Sequence, residues 1–160
     1  MTSDVLPASQ RPPSSRRHVN TPALGASSAA RLLVPVGRFL FALIFLVSTP
    51  LHFQHAGVAY AAQAGTPLAG LLVPLAGLLA LFGGLSVLFG YHARVGALLL
   101  AIFLVPVTLI MHAFWATPDA GTALLERVMF MKNLAMFGAA LLLMYFGAGP
   151  ISIDERQGRT

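Results

Sequence analysis

The run PLAGLLVPLAGLLALFGGLSVLF, Pro67 to Phe89, holds no ionisable residue. A helix needs about 20 apolar residues to cross a hydrocarbon core of roughly 30 Å, and this run is long enough. Inside lipid every backbone N–H and C=O must find a partner within the segment or in a closed barrel. The run is Leu/Ala/Gly-rich without the strict alternation of a barrel strand, so it predicts a transmembrane helix. Three further runs of the same kind flank it: Leu32–Leu51, Gly96–Phe114 and Val128–Phe146. The expectation is an all-α, integral membrane four-helix bundle embedded in the lipid bilayer. The composition agrees, with 57% hydrophobic and 9% charged residues, against about 25% charged in soluble domains.

The net charge of +5 does not imply nucleic acid, because of where the charge lies. Arg11, Arg16, Arg17 and Arg31 precede the first run, Arg94 sits between the second and third, and Arg156 and Arg159 follow the fourth. The first connection has no Lys or Arg, and the third has only Arg127, beside Asp119 and Glu126. This is the positive-inside pattern of an even-span membrane protein with both termini in the cytoplasm. The domain reading is a disordered, Pro/Ser/Ala/Arg-rich tail over 1–30, a membrane domain over 31–150 and a short cytoplasmic tail over 151–160. Ser15-Arg16-Arg17 with Val58–Ala62 weakly resembles a twin-arginine signal and cleavage region. The run after it is long and contains Arg38, which favours an uncleaved first helix.

Small residues pattern the second run. Ala69, Ala76, Gly83 and Gly90 recur every seventh position, with Gly70, Gly77 and Gly84 beside them. Such rows let neighbouring membrane helices approach closely. Pro67 is expected in the first turn of the second helix. Pro74 and Pro106 are expected to bend their helices, and Pro50 to bend or end the first.

The polar residues carry what chemistry there is. No cysteine is present, so thiolate, disulfide and iron–sulfur chemistry within this chain is excluded. Glu126, Asn133 and Ala140 fall on one helix face, since seven residues make nearly two turns. Asn133 is too short to snorkel, so it either hydrogen-bonds across to another helix or touches a ligand. Lys132 either snorkels to the interface or lines a site. Arg38 either reaches anionic headgroups or pairs with an interior carboxylate or anionic ligand. His112, beside Phe114 and Trp115, is either an interfacial anchor or a hydrogen-bond partner for a quinone carbonyl. Candidate quinone or ligand contacts are therefore His112, Trp115, Lys132 and Asn133. His52, His55, His112, Asp119 and Glu126 gather on the outer face, which makes that cluster the candidate site; His52 and His55, three apart, are weak candidates for a metal, though no tight ligand spacing supports one.

The order of pieces resembles the DoxX family of small bacterial membrane proteins. The resemblance is carried by Gly37-Arg38-Phe39, Phe45–Ser48 and His52-Phe53; by Ala64–Pro67, Leu72–Leu79 and Gly83-Gly84; by Gly90 before Arg94; and by His112–Trp115, Asp119 and Phe130–Ala135. It covers about residues 31 to 154 and implies a four-helix bundle of the bacterial inner membrane. It implies an accessory or anchor subunit of a quinone-linked redox complex, with other membrane or redox subunits as partners and no cofactor of its own beyond a quinone. Members often carry a helix-2 glutamate where this chain has Ala80, so a buried carboxylate partner for Arg38 or Lys132 is missing. Two other readings stand beside this one: a small transporter using Arg38, Lys132 and Asn133, and a non-catalytic scaffold docking through the glycines of the second run.

Overall fold

A computed structural model describes residues 28–159. The expected N-terminal tail lies outside these residues except for 28–30, which already form the first turn of a helix. Helix α1 spans Ser28–Ser48 and tightens into a 3₁₀ turn at Thr49–Phe53. A nine-residue helix α2, His55–Gln63, follows; then come α3 Ala69–Phe89, α4 Ala93–Met111, a 3₁₀ turn Phe114–Ala116 and α5 Ala120–Phe146. A short helix α6, Ile153–Arg156, ends the described chain. The four long elements, α1 with its 3₁₀ extension, α3, α4 and α5, are long and apolar enough to cross a membrane. Large apolar side chains such as Leu33, Leu71, Ile102 and Leu124 point outward, as a lipid-facing surface requires. The expected all-α four-helix membrane bundle is what forms.

The closely packed pairs are α1 with α3, α3 with α4, and α4 with α5; α1 and α5 form no comparable pair. Helix α3 sits between two neighbours, and its glycines explain how. A Cβ on Gly83 would stand 2.9 Å from the Gly96 carbonyl oxygen of α4, and one on Gly84 would stand 2.9 Å from Leu46 of α1. A Cβ on Gly77 would lie 2.6 Å from the His52 Cβ. The adjacent rows therefore serve two different partners inside the bundle. Ala42, Phe45, Ala80, Val87, Ala97, Leu100, Phe103 and Leu104 form the core between them.

Several boundaries differ from expectation. Helix α5 begins at Ala120, two turns before Val128, because Asp119 caps it: its carboxylate accepts from the Thr122 backbone N–H at 2.7 Å and from the Thr122 hydroxyl at 2.8 Å. Glu126 and Arg127 thus lie on a helix, not in a loop. Pro67 is not in the first turn of α3; it precedes Leu68, which caps the helix in a left-handed conformation at φ 46°. The connection after α1 is built rather than open. Gly57 abuts the Leu51 carbonyl, and Ala61 is buried with Ala69 and Val73.

The C-terminal segment docks onto the bundle. Arg38 is 3% exposed, and its guanidinium donates to the carbonyls of Ala148 at 2.7 Å and Ile151 at 2.6 Å. It neither reaches headgroups nor ion-pairs directly with a carboxylate, as either sequence reading had it. The backbone of the 148–151 turn takes that place, because Gly147 and Gly149, both at positive φ, fold those carbonyls back toward it. Asp154 is buried and accepts from the N–H groups of His92 (2.8 Å) and Ala93 (2.9 Å). It therefore caps α4 from the far end of the chain, where orphan helix N–H groups need an acceptor.

Candidate functional site

At the opposite end of the bundle from that C-terminal dock, a cavity of about 400 Å³ opens among α1, α2, α3, α4 and α5. Its walls are mostly apolar, with Phe45, Leu79, Phe103 and Met136 among them. Its polar residues include His52, His112, Lys132 and Asn133. A volume of this size, apolar with a few convergent polar groups, is typical of a small-molecule site.

Each polar group is positioned by a different device. His52 sits in the 3₁₀ turn after α1. Its Nδ1 lies 3.1 Å from the Ser48 carbonyl, and its ring lies 5.6 Å from that of Phe103. His112 ends α4 and lies, Nδ1 to Oε2, 2.7 Å from Glu126 of α5. The early start of α5 is what brings Glu126 within reach. Asn133, seven residues on, is about 10 Å deeper at 1.5 Å per residue. It is 4% exposed, and among the described residues its amide has no hydrogen-bond partner. The cross-helix bond expected for it does not form; the residue lines the cavity instead, where its amide is open to whatever fills the chamber.

Lys132 is exposed at the cavity margin, and its ammonium lies 3.4 Å from the Met129 sulfur. Met129 is nearly one turn closer to the N-terminal end of α5, so the chain leans toward that end. Trp115 does not line the cavity. It is 59% exposed, and its ring packs edge-on against Phe114 and Phe130 at centroid distances of 5.1 and 5.7 Å. Arg127 stands 6.0 Å over the Phe114 ring. This aromatic group suits the membrane–water interface.

His52 and His55 part company. His52 lines the cavity, whereas His55 is exposed at the start of α2. Among the described residues no three His, Cys, Asp or Glu side chains gather as a metal-binding group. Asp119, outside the spans, is occupied as a cap. The backbone N–H of Thr122, then its hydroxyl, hold the Asp119 carboxyl below its ordinary value.

The sequence gathered His52 and His112 on the outer face with Asp119 and Glu126; what it missed is that Asn133 lines the same cavity and that Glu126 holds His112. The signal for the second was present: Glu126 and Asn133 share a helix face. Taken together, the site presents two ring nitrogens, an amide and a nearby ammonium at one end of an apolar chamber. That arrangement can hold the polar head of an amphipathic molecule.

Comparison with known proteins places the chain. The SURF4 family pattern matches residues 9–159. The inner membrane protein YphA of Escherichia coli K12 is 30% identical over 132 residues, covering 81% of this chain and 93% of that protein. No solved structure matches. These matches overturn the resemblance to the DoxX family. Its carrying pieces were short runs from Gly37-Arg38-Phe39 through His112–Trp115 to Phe130–Ala135. Each is a weak signal in a Leu/Ala-rich chain, and their order does not separate one four-helix membrane family from another. The glutamate expected from that resemblance has no bearing here: Ala80 is fully buried in the core. The chain belongs to the SURF4 family and is a multi-pass integral protein of the inner membrane.

Proposed function

We propose that this protein binds a quinone-class molecule of the bilayer in the cavity, and serves as an accessory subunit of a quinone-linked membrane redox system. The observation that carries this reading is Asn133, 4% exposed and without a hydrogen-bond partner among the described residues, whose amide faces a largely apolar chamber. An amide at that depth gains from a ligand that completes its hydrogen bonding. His52 and His112 stand at the same chamber with Nδ1 already engaged. Phe45 and Phe103 contribute to the apolar wall of the chamber. An isoprenoid-like tail suits the apolar remainder. Because α1 and α5 are not closely packed, a lipid-soluble molecule can enter from the side. A chain without cysteine would draw its electron partner from another subunit.

The charge distribution supports the orientation. Arg31, Arg38, Arg94, Arg156 and Arg159 gather at the end holding the α3–α4 turn and the C-terminal dock, which on the positive-inside rule faces the cytoplasm. The cavity then opens toward the outer side.

The other two readings find less support. Arg38 is engaged by backbone carbonyls and lines no path. Gly77 and Gly84 are consumed against His52, Phe53 and Leu46 within the bundle, so they offer no docking face. The test is equilibrium binding of decylubiquinone to the full chain in lipid nanodiscs. Asn133→Leu should weaken it by about ten-fold, the worth of one buried hydrogen bond. Binding that Asn133→Leu leaves unchanged would sink the reading.

A further inference from the structure

The geometry points to a second site, at the end of the bundle away from the cavity: a groove on the lipid-facing flank of α3 that holds one anionic phospholipid. An acyl chain lies along the groove, and the phosphate meets Arg159. Phe82, Leu85, Ser86 and Phe89 of α3 line it, with Tyr91 of the α3–α4 turn and Ile153 of α6. The four α3 residues recur at three- and four-residue spacing, so they form one stripe about 10 Å long at 1.5 Å per residue. The groove encloses about 340 Å³ and is open on its lipid side, where Phe82 and Phe89 are exposed. The Ser86 hydroxyl is spent, donating to the Tyr91 carbonyl at 2.6 Å. The rest of the stripe is apolar, as an acyl chain requires.

Arg159 marks the head end. Its backbone N–H donates to the Asp154 carbonyl at 2.9 Å, which ties the residue to α6. Its Nη1 lies 2.9 Å from His92 Nε2, and its guanidinium carbon stands 6.0 Å from the centroid of the Tyr91 ring. Tyr91 therefore belongs to the groove and to the cation at once. Its phenol hydroxyl has no partner among the described residues and adds a second donor.

Charge selects the occupant. Asp154 is buried and accepts from the His92 and Ala93 N–H groups. Glu155 pairs with Arg31 at 2.9 Å. Among the described residues, Arg159 is thus left without a carboxylate at ion-pair distance. A guanidinium beside an apolar groove in a bilayer meets lipid phosphates, and its planar donors match their oxygens. No acidic side chain lines the groove to receive an ammonium head, so a lipid of net negative charge is favoured over a zwitterion.

Native mass spectrometry tests this on the full chain, released from nanodiscs of equal dioleoyl phosphatidylglycerol and dioleoyl phosphatidylcholine. Phosphatidylglycerol should be retained over phosphatidylcholine by about ten-fold, the worth of one charge-assisted hydrogen bond. Arg159→Gln should bring that ratio near one. Arg127→Gln removes the same charge at the other end of the bundle and should leave the ratio unchanged. Both arginines are exposed, so neither substitution empties a core position. Equal retention of the two lipids by the wild type overturns the site. An equal fall in both variants overturns its placement, since net charge alone would then explain the preference. Soluble glycerol 1-phosphate, a head without chains, should not displace the lipid; displacement by it overturns the role of the groove.

Discussion

Arg38 and Ala148 lie 110 positions apart in the chain, yet Nη1 of the first donates to the carbonyl of the second at 2.7 Å. The contact closes the bundle at the end away from the cavity. A second carbonyl, that of Ile151, accepts from Nη2, so one guanidinium satisfies a turn that would otherwise bury bare carbonyls. Arg38→Met should lower the unfolding free energy by about 3 kcal/mol, since hydrogen bonds to a charged donor are worth about 1.5–3 kcal/mol each. Thermal unfolding in mild detergent reads this directly, and an unchanged midpoint would contradict it.

Gly90 is where the same dock meets the α3–α4 turn. Its φ is +62°, and a Cβ would stand 2.5 Å from both Arg38 Nη1 and the Ser152 Cβ. Gly90→Ala should therefore destabilise by about 2 kcal/mol or more, combining left-handed strain with overpacking. Gly70→Ala is the control. Nothing lies within 4 Å of its added Cβ, and its midpoint should move little or upward.

Asp154 caps α4 through the N–H groups of His92 and Ala93. Asp154→Ala should cost about 1–2 kcal/mol, the range of a lost helix cap. Amide exchange at His92 and Ala93 should rise more than at the middle of α4. Uniform exchange along α4 would argue that the cap is idle.

Asp119 gives a pH signature at the other end. Thr122 holds its carboxyl below the ordinary value of 3.8, so the stabilisation is present above that pH and is lost as pH falls through the folded-state value. The first turn of α5 should fray in acid, seen as faster Thr122 amide exchange relative to mid-helix amides. Asp119→Asn should flatten that pH response. A wild-type turn equally protected on both sides of the transition would refute the cap.

Asn133→Leu should separate stability from binding. Removing an unpartnered buried amide should leave the unfolding midpoint unchanged or raise it by the equivalent of about 1 kcal/mol, even as quinone affinity falls. A clear loss of stability would mean that the amide is structural after all.

The spans, the bundle and the packing role of the α3 glycines were legible in the chain. They depend on local hydrophobicity, segment length and residue size, quantities that each stretch carries by itself. The face shared by Glu126 and Asn133 was legible for the same reason, through helical periodicity. The start of α5 was less so, because the Asp119 cap overrides a boundary drawn from hydropathy alone. The role of Arg38 was hidden. Its partners are backbone carbonyls more than a hundred residues away, and a carbonyl leaves no trace in residue type. Asp154 as the cap of α4, and Asn133 joining the outer-face histidines around one chamber, were hidden likewise. The sequence by itself determined a four-span membrane helix bundle, because burial in lipid is decided segment by segment. Only the tertiary structure decided which polar groups are satisfied and which are left for a ligand, because hydrogen bonding is decided by what the fold brings within 3 Å.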